Sequence, residues 1–220
     1  MYKYELHCHT KEVSKCSAFS AKDLALHYKN NGYDGIVITD HYSLHTFCDE
    51  GLLSPQNHAE KFLGGYKKAL EISDENFSVL LGMELRFFYN FNDYLVYGID
   101  EEFLKKNGNL LVKGLRKFYN LCEENNLLVV QAHPFRKGLF RANPRFLHGV
   151  EINNGKDETN HLSAKWAEKN NIKIRTGGSD CHRESNSCTS GILTDIKIST
   201  NEDLLRVLRN NEFEIIKTEG

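Results

Sequence analysis

Gly35-Ile36-Val37-Ile38-Thr39-Asp40-His41 is the stretch that decides how this chain folds. The β-branched run Gly35–Thr39 reads as a buried strand, and an acid and an imidazole follow at its carboxyl end. Upstream, Ser20 is placed to cap a helix over Ala21–Asn30, which Asn31-Gly32 stops, and a strand at Tyr2–Leu6 comes before it. Downstream, a helix over Asn57–Ile72 leads to strands at Phe77–Leu81 and Tyr94–Gly98. A helix over Leu110–Glu124 and a strand at Leu127–Ala132 come next. Short strands at Gly149–Ile152, Lys173–Thr176 and Gly191–Leu193 follow, with a helix over Leu162–Asn170 between the first two. A helix over Glu202–Arg209 and a strand at Phe213–Ile216 complete the pattern. This alternation predicts parallel strands joined by helical crossovers, in a barrel or a doubly wound sheet. No internal repeat or Pro/Gly/Ser-rich linker interrupts it, so residues 1–220 are expected to form a single domain.

The polar ending recurs. His7-Cys8-His9 follows the first strand, Glu84 follows Ser78–Met83, His133-Pro134 follows Leu127–Ala132, and Ser179-Asp180-Cys181-His182 follows Ile174–Gly178. In parallel α/β folds the loops at the carboxyl ends of the strands converge on one face. On extended chain His7 and His9 point to the same side, as do Asp180 and His182, while Cys8 and Cys181 point away. Crowded carboxylates and imidazoles are costly unless cations neutralise them. A lone histidine is ordinarily a packed or hydrogen-bonded residue; recurrence at five strand ends is what predicts a divalent-metal site.

Composition sets the surroundings. Hydrophobic residues are 40% and charged residues 26% of the chain, the balance of a water-soluble globular protein. No apolar run approaches the ~18 residues of a membrane span, and the amino terminus shows no signal core. Six cysteines without a CxxC pair read as reduced thiols, so a cytoplasmic location is expected. A net charge of −2 argues against a broad nucleic-acid-binding face.

Taken in order, His7-x-His9, Asp40-His41, Ala132-His133-Pro134 and Ser179-Asp180-x-His182 resemble the four signature motifs of the PHP (polymerase and histidinol phosphatase) phosphoesterases. Glu84, in Gly82-Met83-Glu84, resembles that family's bridging glutamate. The resemblance implies a distorted (β/α)7 TIM-like barrel with two or three divalent ions (Mn, Fe or Zn) at its mouth. It implies one ion on His7, His9, Glu84 and Asp180. A second would be held by Glu84, His133 and a residue near the Tyr94 strand, where Asp93 replaces a frequent histidine and would favour the harder Mn²⁺ or Fe²⁺. The third would use His41, His182 and a residue shortly after the HxH pair. Glu12 is the only acid there and is taken as that ligand.

The activity implied is hydrolysis of a phosphate monoester, or of a small nucleotide or oligonucleotide ester, by a metal-bridging hydroxide. Asp40 is expected to orient His41 or to protonate the leaving group. Arg136, Arg183 and Arg86 stand close to motif residues and offer the planar donor fork a phosphate needs, Arg136 foremost. Two rivals stand beside this reading: an amidohydrolase-type metal hydrolase, which also uses HxH after a first strand, and a non-catalytic PHP-fold binding module. The Asp40-His41 pair and the SDxH ending separate the chain from the first, and a nearly complete ligand set separates it from the second.

Overall fold

The computed structural model describes residues 1–48, 55–107 and 109–217. Ten strands form one sheet, joined in the order β10-β9-β1-β2-β4-β5-β6-β7-β8, with the two-residue β3 paired to β4. The strands are β1 Tyr2–Cys8, β2 Gly35–Ile38, β3 His41–Tyr42, β4 Ser78–Arg86, β5 Asp93–Tyr97, β6 Leu128–Gln131, β7 Gly149–Asn154, β8 Ile174–Gly178, β9 Ser190–Thr194 and β10 Glu214–Lys217. A bridge between Cys8 and Cys181 brings the end of β8 back to β1, so the sheet is a nearly closed barrel. The helices are α1 Ala21–Asn30, α2 Leu44–Phe47, α3 Pro55–Leu70, α4 Glu101–Lys106, α5 Leu115–Glu124, α6 Asn160–Lys169 and α7 Asn201–Asn210. Among the described residues no helix is long and apolar enough to cross a membrane.

Strand alternation fills the interior. Tyr4, Leu6, Val37, Leu95, Tyr97 and Val130 pack into one cluster, to which α7 adds Leu204, Leu205 and Leu208. Thr200 and Asp203 cap that helix reciprocally, the pattern that starts an amphipathic helix at a defined residue.

The expected all-parallel arrangement does not hold. β1–β2–β4 and β6–β7–β8 are parallel, but β5 runs antiparallel to both β4 and β6, and β9 is antiparallel to β1 and β10. The reason is length: residues 87–92 between β4 and β5 are too few for a crossover helix, so the chain turns back as a hairpin. β4 also runs on to Arg86, which places Glu84 inside a strand and not after it. The helix expected from Leu110 starts at Leu115, because Gly114 at φ 70 separates it from a single 3₁₀ turn at Leu110–Val112. The short helix α4 lies outside the expected elements; Asp100 caps it by accepting from the Phe103 N–H at 2.7 Å.

Candidate metal centre

Glu84 is the hub. The β3–β4 register sets His41 beside it. Its Oε1 lies 3.1 Å from His133 Nε2 and 3.3 Å from His7 Nε2, while Oε2 lies 2.6 Å from His41 Nδ1 and 3.6 Å from His9 Nε2. Asp180 faces the same space: its Oδ1 is 3.0 Å from His9 Nε2 and 3.4 Å from His7 Nε2. Among the described residues, atoms able to ligate a cation come within 4.8 Å of one another in four overlapping groups: His7/His9/Glu84, His7/His133/Asp180, Glu84/Asp93/His133 and His9/His41/His182. His7, His9, Glu84, Asp93, His133 and Asp180 are all buried.

The donors fit divalent cations. His7 Nε2 and Glu84 Oε2 are buried without a hydrogen bond of acceptable geometry, so each keeps a lone pair aimed at the shared space. Burial pushes the Glu84 carboxyl up, but His41 and His7 overcome it and hold the group well below the usual range. Asp180 behaves alike: burial raises it, while His7, His182 and His9 bring it well down. Burial, reinforced by His41 and His182 beside it, drives His9 well below the ordinary imidazole range. The two carboxylates and His9 thus take the forms a cation binds. At His7, His41 and His182 burial is outweighed by the surrounding acids, which push the rings toward imidazolium, and a bound cation would displace those protons.

Local structure serves this grouping. A Cβ on Gly178 would collide with the Cβ of His7, so only glycine lets β8 approach β1 there. His133 and Asp180 both adopt left-handed backbone (φ 25 and 50), the strain common at sites whose side chains must be aimed.

Two carboxylates absent from the motif reading hold the array. Glu151, fully buried on β7, places Oε1 2.9 Å from His7 Nδ1, and its Oε2 accepts from the His133 backbone N–H at 3.0 Å and from Asn154 Nδ2 at 2.8 Å. Glu5, buried on β1, accepts from the backbone N–H groups of His7 and Ser179, at 2.8 and 2.9 Å, and from the hydroxyls of Ser179 and Tyr28. Burial raises Glu5 to about 7 in spite of these donors. The available signal was an acid inside an apolar strand, which burial alone makes costly.

Several expected roles change. Glu12 stands apart from the cluster: its Oε2 accepts from the Ala21 N–H at 2.9 Å, at the start of α1, and its Oε1 lies 3.6 Å from Lys68 Nζ. The helix amino terminus is the stronger claim on that anion. Cys16 lies on the His41 and His182 side of the cluster, and its thiol interacts with both rings. Partial desolvation opposes ionisation of this thiol, but the contacts with His182 and His41 lower it to about 6.

Asp40 is buried, and its oxygens are engaged within the fold. It accepts from the Thr10 N–H, the Thr10 hydroxyl and the Ser14 hydroxyl, all at 2.7 Å, and so gathers the loop after His9. Ser14 passes the link on by accepting from the His41 N–H at 2.9 Å.

The three arginines differ. Arg86 forks both oxygens of Asp93 at 2.6 Å, and Asp93 Oδ2 lies 4.0 Å from His133 Nε2. Arg136 bonds Asp180 Oδ2 at 2.8 Å and Asn154 Oδ1 at 2.7 Å. Arg183 is exposed. Arg86 and Arg136 therefore brace the Asp93 and Asp180 carboxylates, with about two-fifths of each arginine side chain still open to solvent. Beside the cluster lies a cavity of about 470 Å³, lined by Ser14, Lys15, Cys16, His41, His45 and Arg86 among others.

The PHP domain family matches residues 5–170, and the chain belongs to it. No curated protein sequence matches the chain. PsfC from Pseudomonas syringae is similar in structure, with a TM-score of 0.74 over 99% of this chain and 91% of that one at 15% identity. A two-domain protein from Bacteroides vulgatus containing a predicted PHP-like metal-dependent phosphoesterase gives 0.71 over 98% and 64%, at 14% identity. The lesion-specific endonuclease PfuEndoQ from Pyrococcus furiosus gives 0.67 over 97% and 57%, at 12% identity. At such identities the likeness is one of fold.

Proposed function

We propose that this chain is a metal-dependent phosphoesterase acting on a small phosphate monoester or nucleotide. The observation that carries the reading is the sharing of Glu84, His7, His9 and His133 among overlapping ligand groups, the arrangement that holds adjacent ions. Bound divalent ions supply charge neutralisation for phosphoryl oxygens and an activated water. The chain's part is to place them. Glu84 would join two positions, with His7, His9 and Asp180 on one side and His133 and Asp93 on the other. His41 and His182 form the outer edge, partly open to the cavity.

That cavity has the size of a small-molecule site. Lys15, Arg86 and His45 on its wall favour an anionic substrate. Arg136, engaged by Asp180, Asn154 and Asp157, would keep Asp180 in place, while Arg86, which grips Asp93 through Nε and Nη2, would turn Nη1 to a phosphate oxygen.

The test is elemental analysis followed by a phosphate-release screen on small monoesters, nucleotides, a short single-stranded oligonucleotide and an amide panel. Two or three ions per chain, fewer in Glu84→Ala and His133→Ala, with phosphate released from a monoester, is the expected result. Amide hydrolysis without phosphate release would transfer the chain to the amidohydrolase reading. No bound metal under any loading condition would leave a binding module.

A further inference from the structure

The outer edge of the cluster carries a ligand that the motif pattern does not assign. His182 Nδ1 donates to the Asp180 carbonyl at 2.9 Å, which leaves a lone pair on Nε2 in the neutral ring. His41 turns Nδ1 toward Glu84, so its Nε2 faces the same way, and the two Nε2 atoms stand 3.4 Å apart. Two ligands of one tetrahedral ion with bonds of about 2.0–2.1 Å are separated by about 3.3–3.4 Å. The spacing is that of a shared cation.

The Cys16 thiol contacts both of these rings and lines the cavity with His41. Its placement is built into the fold. On one side Ser17 Oγ donates to the His9 carbonyl at 2.8 Å, and on the other the Ala18 N–H donates to the His182 carbonyl at 2.8 Å. Within the loop, Ser14 N–H donates to the Thr10 carbonyl and Lys11 N–H to the Phe19 carbonyl, both at 2.8 Å. Cys16 is thereby fastened to backbone next to two of the imidazoles. The acid nearest in sequence, Glu12, is committed to the start of α1.

We propose that Cys16 is a thiolate ligand of the outermost ion, completing a Cys-His-His set with His41 and His182. The inference rests on the metal-centre reading above. Binding displaces the protons that the Cys16, His41 and His182 group carries and releases them to solvent. A sulfur donor makes this one position soft, so it selects Zn²⁺ over Mn²⁺ or Mg²⁺. The inner positions, dominated by Glu84, Asp93 and Asp180, accept the harder ions.

Cobalt reports the bond directly. The full chain is loaded with Co²⁺ and its absorption recorded alongside cobalt per chain. The expected result is a sulfur-to-cobalt charge-transfer band in the near ultraviolet. Cys16→Ser should abolish it, with loss of the outermost cobalt. Cys48→Ser, which removes the other thiol of the cavity, should retain it. Cys16→Asp should restore the cobalt count without the band. In chelator competition, Cys16→Ser should weaken zinc at that position at least about tenfold and leave Mn²⁺ binding unchanged. Cobalt bound without the band, or a band that survives Cys16→Ser, would overturn the Cys16 ligand and leave the metal centre standing. Failure of the wild-type chain to bind cobalt or zinc would overturn both.

Discussion

Glu151 Oε1 lies 2.9 Å from His7 Nδ1, while Oε2 of the same carboxylate accepts from the backbone N–H of His133 at 3.0 Å. One buried side chain therefore sets the tautomer of His7 and fixes the backbone that carries a second imidazole. With Nδ1 donating to Glu151, Nε2 of His7 is left bare toward Glu84 and Asp180.

Glu151→Gln keeps the shape but removes the charge that selects this tautomer. Metal affinity should fall about 10–100-fold, the usual cost of losing such an outer partner. Chelator competition measures it, with circular dichroism as the folding control. Unchanged affinity would show that packing alone orients His7.

Arg86→Lys tests whether Asp93 depends on its fork. Lysine keeps the charge but cannot hold both oxygens, so the ion at Glu84/Asp93/His133 should weaken selectively. Metal titration followed by calorimetry should show one class of site weakened and the others retained. Uniform weakening of every class would count against it.

Gly65 shows how close α3 comes to the loop after His9. A Cβ there would strike Thr10 Oγ1 and lie 2.6 Å from Asp40 Oδ2. Gly65→Ala should cost about 1–3 kcal/mol in urea unfolding, the scale of overpacking a tight contact. Gly64→Ala, with nothing within 4 Å of the added Cβ, is the control and should be neutral or mildly stabilising. Equal midpoints for the two variants would refute the steric account.

His148, away from the metal centre, should give a pH signature. Its Nδ1 accepts from the Val129 N–H at 3.0 Å, and its Nε2 donates to Glu123 at 2.7 Å. Burial lowers its pKa, only partly countered by Glu123. The neutral ring is the folded form, so its contribution is complete above the ordinary imidazole range. It is lost as the pH falls through the lowered value, when a proton on Nδ1 breaks the bond to β6. Metal-free wild type should lose about 1 kcal/mol more than His148→Gln between pH 7.5 and the acid side of that range. Parallel urea curves at both pH values would show that His148 does not titrate in this way.

Much of the architecture was legible because it is written locally. Ser20 and Asn31 mark α1, and β-branched runs mark β2 and β6. The hairpin at residues 87–92 was not read as one, since a strand pattern states burial but not direction. Asp40 was read for its neighbour His41, yet its bonds go to Thr10 and Ser14, which no spacing between motifs reveals.

By itself the sequence determined the pairs: His7 with His9, Asp40 with His41, Asp180 with His182. For His7/His9 and Asp180/His182 the two-residue spacing on extended chain puts both side chains on one face. Asp40 and His41 are adjacent instead, and their bonds diverge, to Thr10 and Ser14 and to Glu84. Only the tertiary structure decided what completes them. Cys16 reaches His41 and His182, and Glu151 reaches His7 across 144 residues, through loops and strands whose closeness depends on how the barrel closes. Glu12, three residues from His9, is drawn instead to the start of α1. Contacts between distant segments are set by packing, and no local pattern encodes them.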